Sequence, residues 1–335
     1  MQQPSRDIIR HRLLEEWQRA FPLVSRPFAV IASRLRIGEG GVLEILERLQ
    51  AEGAISRVGG VVRPNTLGAS TLAAIAAPEL QIGSVAAILS AEPGVNHVYL
   101  RENDRNLWFV VTGPDRAYVD QALRRIADRT GYRVLDLRLE TPYHIDLGFT
   151  LTGGDVHKDA QAEAEHAQRT AYAPHPADRE LVQMLTLGLP LIPQPFKHIA
   201  ALLDRSEKEV IDRLKVLTAA GIVPRIGVIV RHRALGWRAN AMVIWDVPPS
   251  DVDRAGKSLA TAPGINLCYR RTRYPREWPY NLYCMVHARS REEALDKLIQ
   301  AQTRAGLDAY PRQVLFSLRC YKQTGAMLAL PKAAA

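Results

Sequence analysis

FPLVSRPFAVIASRLRIGEGGVLEILERLQAEGAISRVGGVVRPNTLG, from Phe21 to Gly68, is echoed 168 residues later by LPLIPQPFKHIAALLDRSEKEVIDRLKVLTAAGIVPRIGVIVRHRALG, from Leu189 to Gly236. Nineteen of the 48 positions are identical without a gap, among them Pro22/Pro190, Phe28/Phe196, Gly53/Gly221, Arg57/Arg225, Arg63/Arg231 and Gly68/Gly236. Unrelated segments would share only a handful. A later pair also aligns: GVNHVYLR (Gly94 to Arg101) with GINLCYRR (Gly264 to Arg271). Each is soon followed by an Asn-Leu-aromatic step, Asn106-Leu107-Trp108 and Asn281-Leu282-Tyr283. The chain is a fused pair of similar halves.

Each half reads in the same order. Ile8, Leu13, Leu14 and Trp17 share one face at helical spacing, and Phe28 to Ile31 leads to a turn at Ile37-Gly38-Glu39-Gly40. A second helix carries Val42, Ile45, Leu46 and Leu49 on one side and stops at Gly53. Ile55 to Arg63 and Val223 to Arg231 then read as β-hairpins with a Gly in each turn region. This is a helix-turn-helix with a wing. The next module alternates strand and helix in the order βαββαβ: strands at Thr71–Ala77, Val95–Leu100, Leu107–Val111 and Val134–Leu139, helices at Gly83–Ala91 and Arg116–Asp128. The second half repeats it through Ala239–Val247, Ser250–Ala260, Ile265–Arg270, Asn281–Val286, Arg291–Ala305 and Val314–Arg319. That order predicts a ferredoxin-like sheet with helices on one face. The fold class is therefore α+β: two tandem copies of a winged helix-turn-helix plus a ferredoxin-like domain. Expected boundaries are 1–68, 69–149, a linker at 150–176 with a short helix over Asp159–Gln168, then 177–236 and 237–329.

Composition sets limits. Hydrophobic residues make up 47% and charged residues 24%, ordinary for a globular chain. No apolar run of about 18 residues predicts a spanning helix, and the start MQQPSRDIIRHRLLEEW has no signal core. Cys268, Cys284 and Cys320 are too scattered for a disulfide framework or a zinc knuckle. A reducing cytoplasm is the expected setting. The net charge of +9, with 44 Lys and Arg, favours an anionic partner, either nucleic acid or a small polycarboxylate or phosphate.

The order of modules resembles the leucine-responsive/AsnC regulator family, whose second domain binds small molecules. A narrower resemblance is carried by YHIDLGF (Tyr143–Phe149), NHVYLRENDRNLWF (Asn96–Phe109), LCYRRTRYPREWPYNLYCMVH (Leu267–His287) and VLFSLRCYKQTGA (Val314–Ala326). These are similar to signatures of the siroheme decarboxylases, AsnC-like proteins that work as pairs of two related chains. Here the two types sit in one polypeptide. The resemblance implies removal of the C12 and C18 acetate carboxyls of siroheme as CO2, giving didecarboxysiroheme for haem d1 or alternative haem synthesis. It implies siroheme as partner and no cofactor beyond the substrate's own iron-tetrapyrrole.

The residues suit that chemistry. Strand alternation puts His97, Tyr99 and Arg101 on one face, and Leu267, Tyr269 and Arg271 on the matching face of the second half. Only the first half has a His there. His97 is the expected proton donor, or a ligand of the substrate iron, with Tyr99 and Arg101 positioning the substrate. His144 is a second candidate acid. Arg271, Arg273, Arg63 and Arg231 are expected to grip carboxylates, joined by Lys322, while Tyr269, Trp278 and Trp108 wall the ring. The bland alternatives are cross-strand packing for Tyr99 and Tyr269, wing stabilisation for Arg63 and Arg231, and an ordinary edge charge for Lys322.

Two rivals share the scaffold. A haem or siroheme sensor would bind without releasing CO2. A DNA-binding regulator fits the helix-turn-helix and the basic charge, but Gly38-Glu39-Gly40-Gly41-Val42-Leu43-Glu44 offers nothing at the helix start to read bases or hold phosphates. No DNA and no membrane partner are expected. The fused pair can act alone or as a homodimer.

Overall fold

The computed structural model describes residues 5–19, 21–145, 175 and 177–330. Asp146 to Phe149 of the YHIDLGF stretch, and the helix expected over Asp159–Gln168, lie outside the described residues. The chain forms two compact units, and neither is a sequence half. Among the described residues, those within 5–69, 175–235 and 325–330 form one unit, and those within 70–145 and 236–324 the other. Like pairs with like: both helix-turn-helix copies form one unit and both strand-rich modules the other. The end of the second module belongs to the first unit, where Gln183 accepts from the backbone of Leu328 and Thr186 donates to the carbonyl of Ala326.

In the first unit α1 (Arg6–Glu16), α2 (Pro27–Leu35), α3 (Glu39–Ala51) and strand β1 (Ile55–Val61) come from the first copy. The second copy supplies α6 (Asp178–Leu187), α7 (Pro195–Leu202), α8 (Glu207–Ala219) and β7 (Arg225–Val230). Pro27 and Pro195 open their helices at the position where a missing N–H costs nothing. The turn that follows α2 comes at Arg36, which is left-handed with φ 57, as is Asp204 with φ 53 after α7. Glu39 and Gly40, expected in that turn, lie inside α3. One apolar core joins Phe28, Leu35, Leu46 and Leu49 to Phe196, Ile199, Leu214 and Leu217.

The expected wing hairpins are absent. Each stretch is a single strand, and the two strands pair antiparallel with each other, Gly59 opposite Gly227. The reason lies in the glycines, which serve close approach and not a turn. A Cβ on Gly227 would press on the backbone carbonyls of Trp17 and Gln18, and one on Gly59 on the carbonyl of Leu185. Trp17 and Leu185 are equivalent positions of the two copies. Each strand thus lies flush against the helix end of the other copy, and a two-stranded ribbon shared between copies buries all of β7. Gly227→Ala is expected to destabilise this unit by about 1–3 kcal/mol. Gly83→Ala, whose methyl meets open space within a helix, is expected to be neutral or stabilising. Thermal unfolding of the two variants side by side tests this, and equal midpoints would refute it.

The second unit contains β2 (Ala69–Ile75), α4 (Ile82–Ala91), β3 (Val95–Arg101), β4 (Leu107–Gly113), α5 (Arg116–Thr130), β5 (Leu135–Leu137) and β6 (Leu139–Ile145). From the second half come β8 (Ala239–Trp245), α9 (Val252–Ala260), β9 (Ile265–Arg271), β10 (Leu282–Ala288), α10 (Arg291–Ala305) and β11 (Arg312–Gln323). All twelve expected segments of the strand-helix pattern are present, with ends shifted by a few residues. The sheets, however, are not separate. The strand order is β5-β2-β4-β3-β11-β8-β10-β9-β6 in one nine-stranded sheet. Each half contributes the ferredoxin-like order, and each half's last strand then crosses over. β11 pairs with β8 through Phe316 and with β3 from Ser317 onward. In the same way β5 pairs with β2 while β6 pairs with β9.

β5 and β6 stand at opposite ends of this order, yet only Arg138 separates them in sequence. The sheet therefore curls until its edges nearly meet. Thr272 N–H donates to the Arg138 carbonyl at 2.9 Å and Tyr274 Oη to the Asp136 carbonyl at 2.9 Å across that seam. Near-closure leaves little strand edge exposed. Helices pack outside, on a core of Val243, Trp245, Leu259, Cys268, Val286 and Leu298 in the second half. The inner face has its own core of Trp108, Leu137, Met242, Ile244, Tyr283 and Leu315.

Candidate active site

Strand alternation decides what reaches the inner face, and it holds for both copies. The rings of His97 and Tyr99 lie 6.3 Å apart at 20°, and the Arg101 guanidinium stands 5.4 Å from the Tyr99 ring. In the second half Arg271 stands 4.9 Å over Tyr269. Successive strands are antiparallel, so β3 and β9, four places apart, run the same way and begin at the same end of the barrel. His97 and its counterpart Leu267 therefore belong to one mouth.

Both arginines do the same structural task. Arg101 Nη1 donates to the Leu315 carbonyl at 3.1 Å, and Arg271 Nη1 to the Leu137 carbonyl at 2.9 Å. Leu315 and Leu137 are equivalent residues, each just before its strand crosses to the other module. The guanidinium thus pins the point of strand exchange. Arg271 has no carboxylate within ion-pair range among the described residues, and burial pulls its pKa below the usual arginine range. Burial likewise pushes the Tyr269 hydroxyl up, so it remains a neutral donor.

The copies then diverge. Arg101, 6% exposed, also donates to Asn240 Oδ1 at 3.2 Å. That fixes the amide orientation, so Asn240 Nδ2 donates to His287 Nε2 at 2.6 Å. His287 Nδ1, carrying the proton, then donates to Asn266 Oδ1 at 3.0 Å. Arg101, Asn240, His287 and Asn266 form a directional row across β3, β8, β10 and β9. The first half has Ser70 and Thr112 where the second has Asn240 and His287. The sequence reading missed this row. Its signal was present, as a His and an Asn at strand ends where the copies disagree, but only the register places them opposite each other.

Other expected site residues fall elsewhere. Lys322 Nζ donates to the carbonyls of Ser90 at 2.8 Å and Glu92 at 3.4 Å, at the end of α4. It caps orphan carbonyls on the helix side of the sheet, where burial lowers its pKa. The bland reading of Lys322 as a surface edge charge fails too. His144 occupies the equivalent slot: it sits opposite Cys268 as Lys322 sits opposite Val98, each after a bulge. Cys268 faces α9, and so the register parts His144 from the His97 face. Trp108 and Trp278 are inner-face residues with rings 5.4 Å apart. Their indoles donate to the Arg105 carbonyl and to Tyr283 Oη, at 2.6 and 2.7 Å, so they are packed into the inner core. Arg273 is paired with Asp246 at 2.8 Å. Arg63 and Arg231 belong to the helix-turn-helix unit, where their amides donate to the carbonyls of Ile222 and Ala54. No group of three metal-ligating side chains occurs among the described residues, and no described helix is long and apolar enough to cross a membrane.

The starts of the would-be recognition helices are occupied. Glu39 is ion-paired with Arg26, and Ser206 and Glu209 cap α8 reciprocally. Glu207 accepts from Ser25 of the other copy at 2.9 Å. The Ser25–Glu207 bond ties the two copies together, and Glu39, Glu207 and Glu209 put negative charge at the helix starts, which disfavours phosphate there.

Comparison with known proteins agrees with this architecture. The AsnC-like ligand binding domain matches at 66–142 and 234–322, and the siroheme decarboxylase NirDL-like HTH domain at 10–55 and 178–223. The siroheme decarboxylase NirDL subunit of Paracoccus pantotrophus is 49% identical over 95% of this chain and 96% of its own. The siroheme decarboxylase of Hydrogenobacter thermophilus is 31% identical over 93% of this chain and 92% of its own. A crystal structure of siroheme decarboxylase NirDL in complex with an iron-uroporphyrin III analogue superposes with TM-score 0.64 at 26% identity, covering 96% of this chain and 94% of that one. With each domain type matched twice and the identity running nearly end to end, the chain belongs to the siroheme decarboxylases, carboxy-lyases, in the fused NirDL form.

Proposed function

We propose that this chain removes the C12 and C18 acetate carboxyls of siroheme at the barrel mouth that carries His97. The observation that carries this reading is the asymmetric inner face: His97, Tyr99 and Arg101 in a row, continued by Asn240, His287 and Asn266. The solved NirDL relative that holds an iron-uroporphyrin III analogue supports an iron-tetrapyrrole as the ligand. A proton added to a ring carbon next to the acetate makes the macrocycle an electron sink. The bond to the carboxylate then breaks, its electron pair forms an exocyclic double bond, and CO2 departs. The methylene carbon takes up a proton and the ring carbon releases one, so each acetate becomes a methyl with net uptake of one proton. His97 supplies that proton or ligates the iron, and Arg101 and Arg271 provide positive potential for carboxylates in an apolar enclosure. The tetrapyrrole serves as its own cofactor, and DNA is not a partner. The product feeds haem d1 or alternative haem synthesis.

Anaerobic incubation of the purified chain with siroheme, followed by mass spectrometry, tests this. Loss of two CO2 units is the expected result. Siroheme recovered unchanged but bound would make the protein a sensor.

A further inference from the structure

The helix-turn-helix unit contains a cleft of about 460 Å³ that the decarboxylase chemistry does not use. Arg57 of β1 lies against it, with apolar walls from Met184, Leu189, Leu191 and Ile199. Leu187 and Leu202 stand at its rim, 64% and 55% exposed. Arg57 is half-buried, and among the described residues its guanidinium makes no hydrogen bond and no ion pair. The backbone is shaped around it. A Cβ on Gly188 (φ 125) would touch the Arg57 stem at 3.2 Å, and one on Gly59 would come within 3.4 Å of Nε. Its counterpart Arg225 is buried, 8% exposed, so only the first copy leaves this arginine half-open to a cleft.

Gln50 and His198 also line the cleft but carry no negative charge, and a half-buried guanidinium without a counterion is costly unless an anion completes it. Burial accordingly lowers the Arg57 pKa. The volume suits a small organic molecule. An inorganic anion would leave the leucine-lined walls and rim unused, and a neutral lipid would leave the charge unmet.

We propose that this cleft binds an organic carboxylate with an apolar body, its carboxylate on Arg57 and its body along Met184, Leu189, Leu191 and Ile199. The cleft is formed by the helix-turn-helix unit and the barrel mouth by the other unit, and octanoate binding is tested apart from decarboxylation. Octanoate is the probe, titrated calorimetrically into the full chain, with octanol and octylamine as controls. Octanoate is expected to bind saturably and to raise the thermal midpoint, more than either control. Arg57→Gln should weaken octanoate about tenfold or more, and Arg57→Lys by less. Neither variant breaks a hydrogen bond or ion pair among the described residues, so both should fold and keep wild-type siroheme turnover. The proposal is overturned if octanoate shows no saturable binding, if octanol or octylamine binds as well, or if Arg57→Gln binds it like wild type. Loss of siroheme turnover in Arg57→Gln would also overturn it, by assigning Arg57 to the decarboxylase substrate.

Discussion

His97→Ala is expected to slow siroheme turnover about a hundredfold or more while leaving siroheme affinity within a few-fold. The argument rests on the one position of the shared strand face where the copies differ in acid/base capacity: His97 opposes Leu267, whereas Tyr99 matches Tyr269 and Arg101 matches Arg271. A proton donor contributes to the transition state, while the positioning groups around it hold the ground state, so the loss falls on rate. His144→Ala is expected to retain most of the rate, because the register gives His144 the slot of Lys322 opposite a helix-facing cysteine. Single-turnover rates and absorbance titrations on both variants decide the matter. Wild-type turnover without His97, or an equal collapse without His144, would remove His97 from its role. A shifted siroheme spectrum in His97→Ala would favour iron ligation over proton donation.

Arg101→Met should be the most destabilising arginine replacement in the barrel. Two charge-assisted bonds disappear from a side chain that is 6% exposed, and Asn240 loses the donor that orients it. A loss of about 3 kcal/mol is expected. Arg271→Met severs only the equivalent carbonyl contact and should cost less. The difference between them measures the Asn240–His287–Asn266 row. His287→Leu in the same background then adds little once Arg101 is gone, whereas on the wild-type chain it is damaging. Denaturant melts of the single and double variants give the coupling. Additive losses would mean that the row does not act as a unit.

Much of this was legible beforehand because duplication doubles every pattern. Helices and strands were placed by periodicity that appeared twice, and the alternation of His97, Tyr99 and Arg101 needed only local geometry. Three readings were not legible. The wing glycines looked like turn residues because a glycine carries no mark of why it is small, and only the carbonyls of Trp17, Gln18 and Leu185 reveal close packing. Lys322 and His144 leave the His97 face because bulges at Cys320/Lys322 and Pro142/His144 change which face a residue takes, and a one-residue slip is invisible in sequence. Asn240 and His287 are 47 residues apart, and nothing local signals that they touch.

What the amino-acid sequence determined by itself is the duplication, the order of modules and the asymmetry at His97 and Leu267, because these reside in the identity and spacing of near neighbours. What the tertiary structure alone decided is partnership. It joined two expected sheets into one by crossing β6 and β11, turned two expected hairpins into one shared ribbon, and spent Lys322 on the end of a helix. Those outcomes depend on which apolar faces and orphan backbone groups meet across more than a hundred residues, and such meetings are settled by packing the whole chain at once.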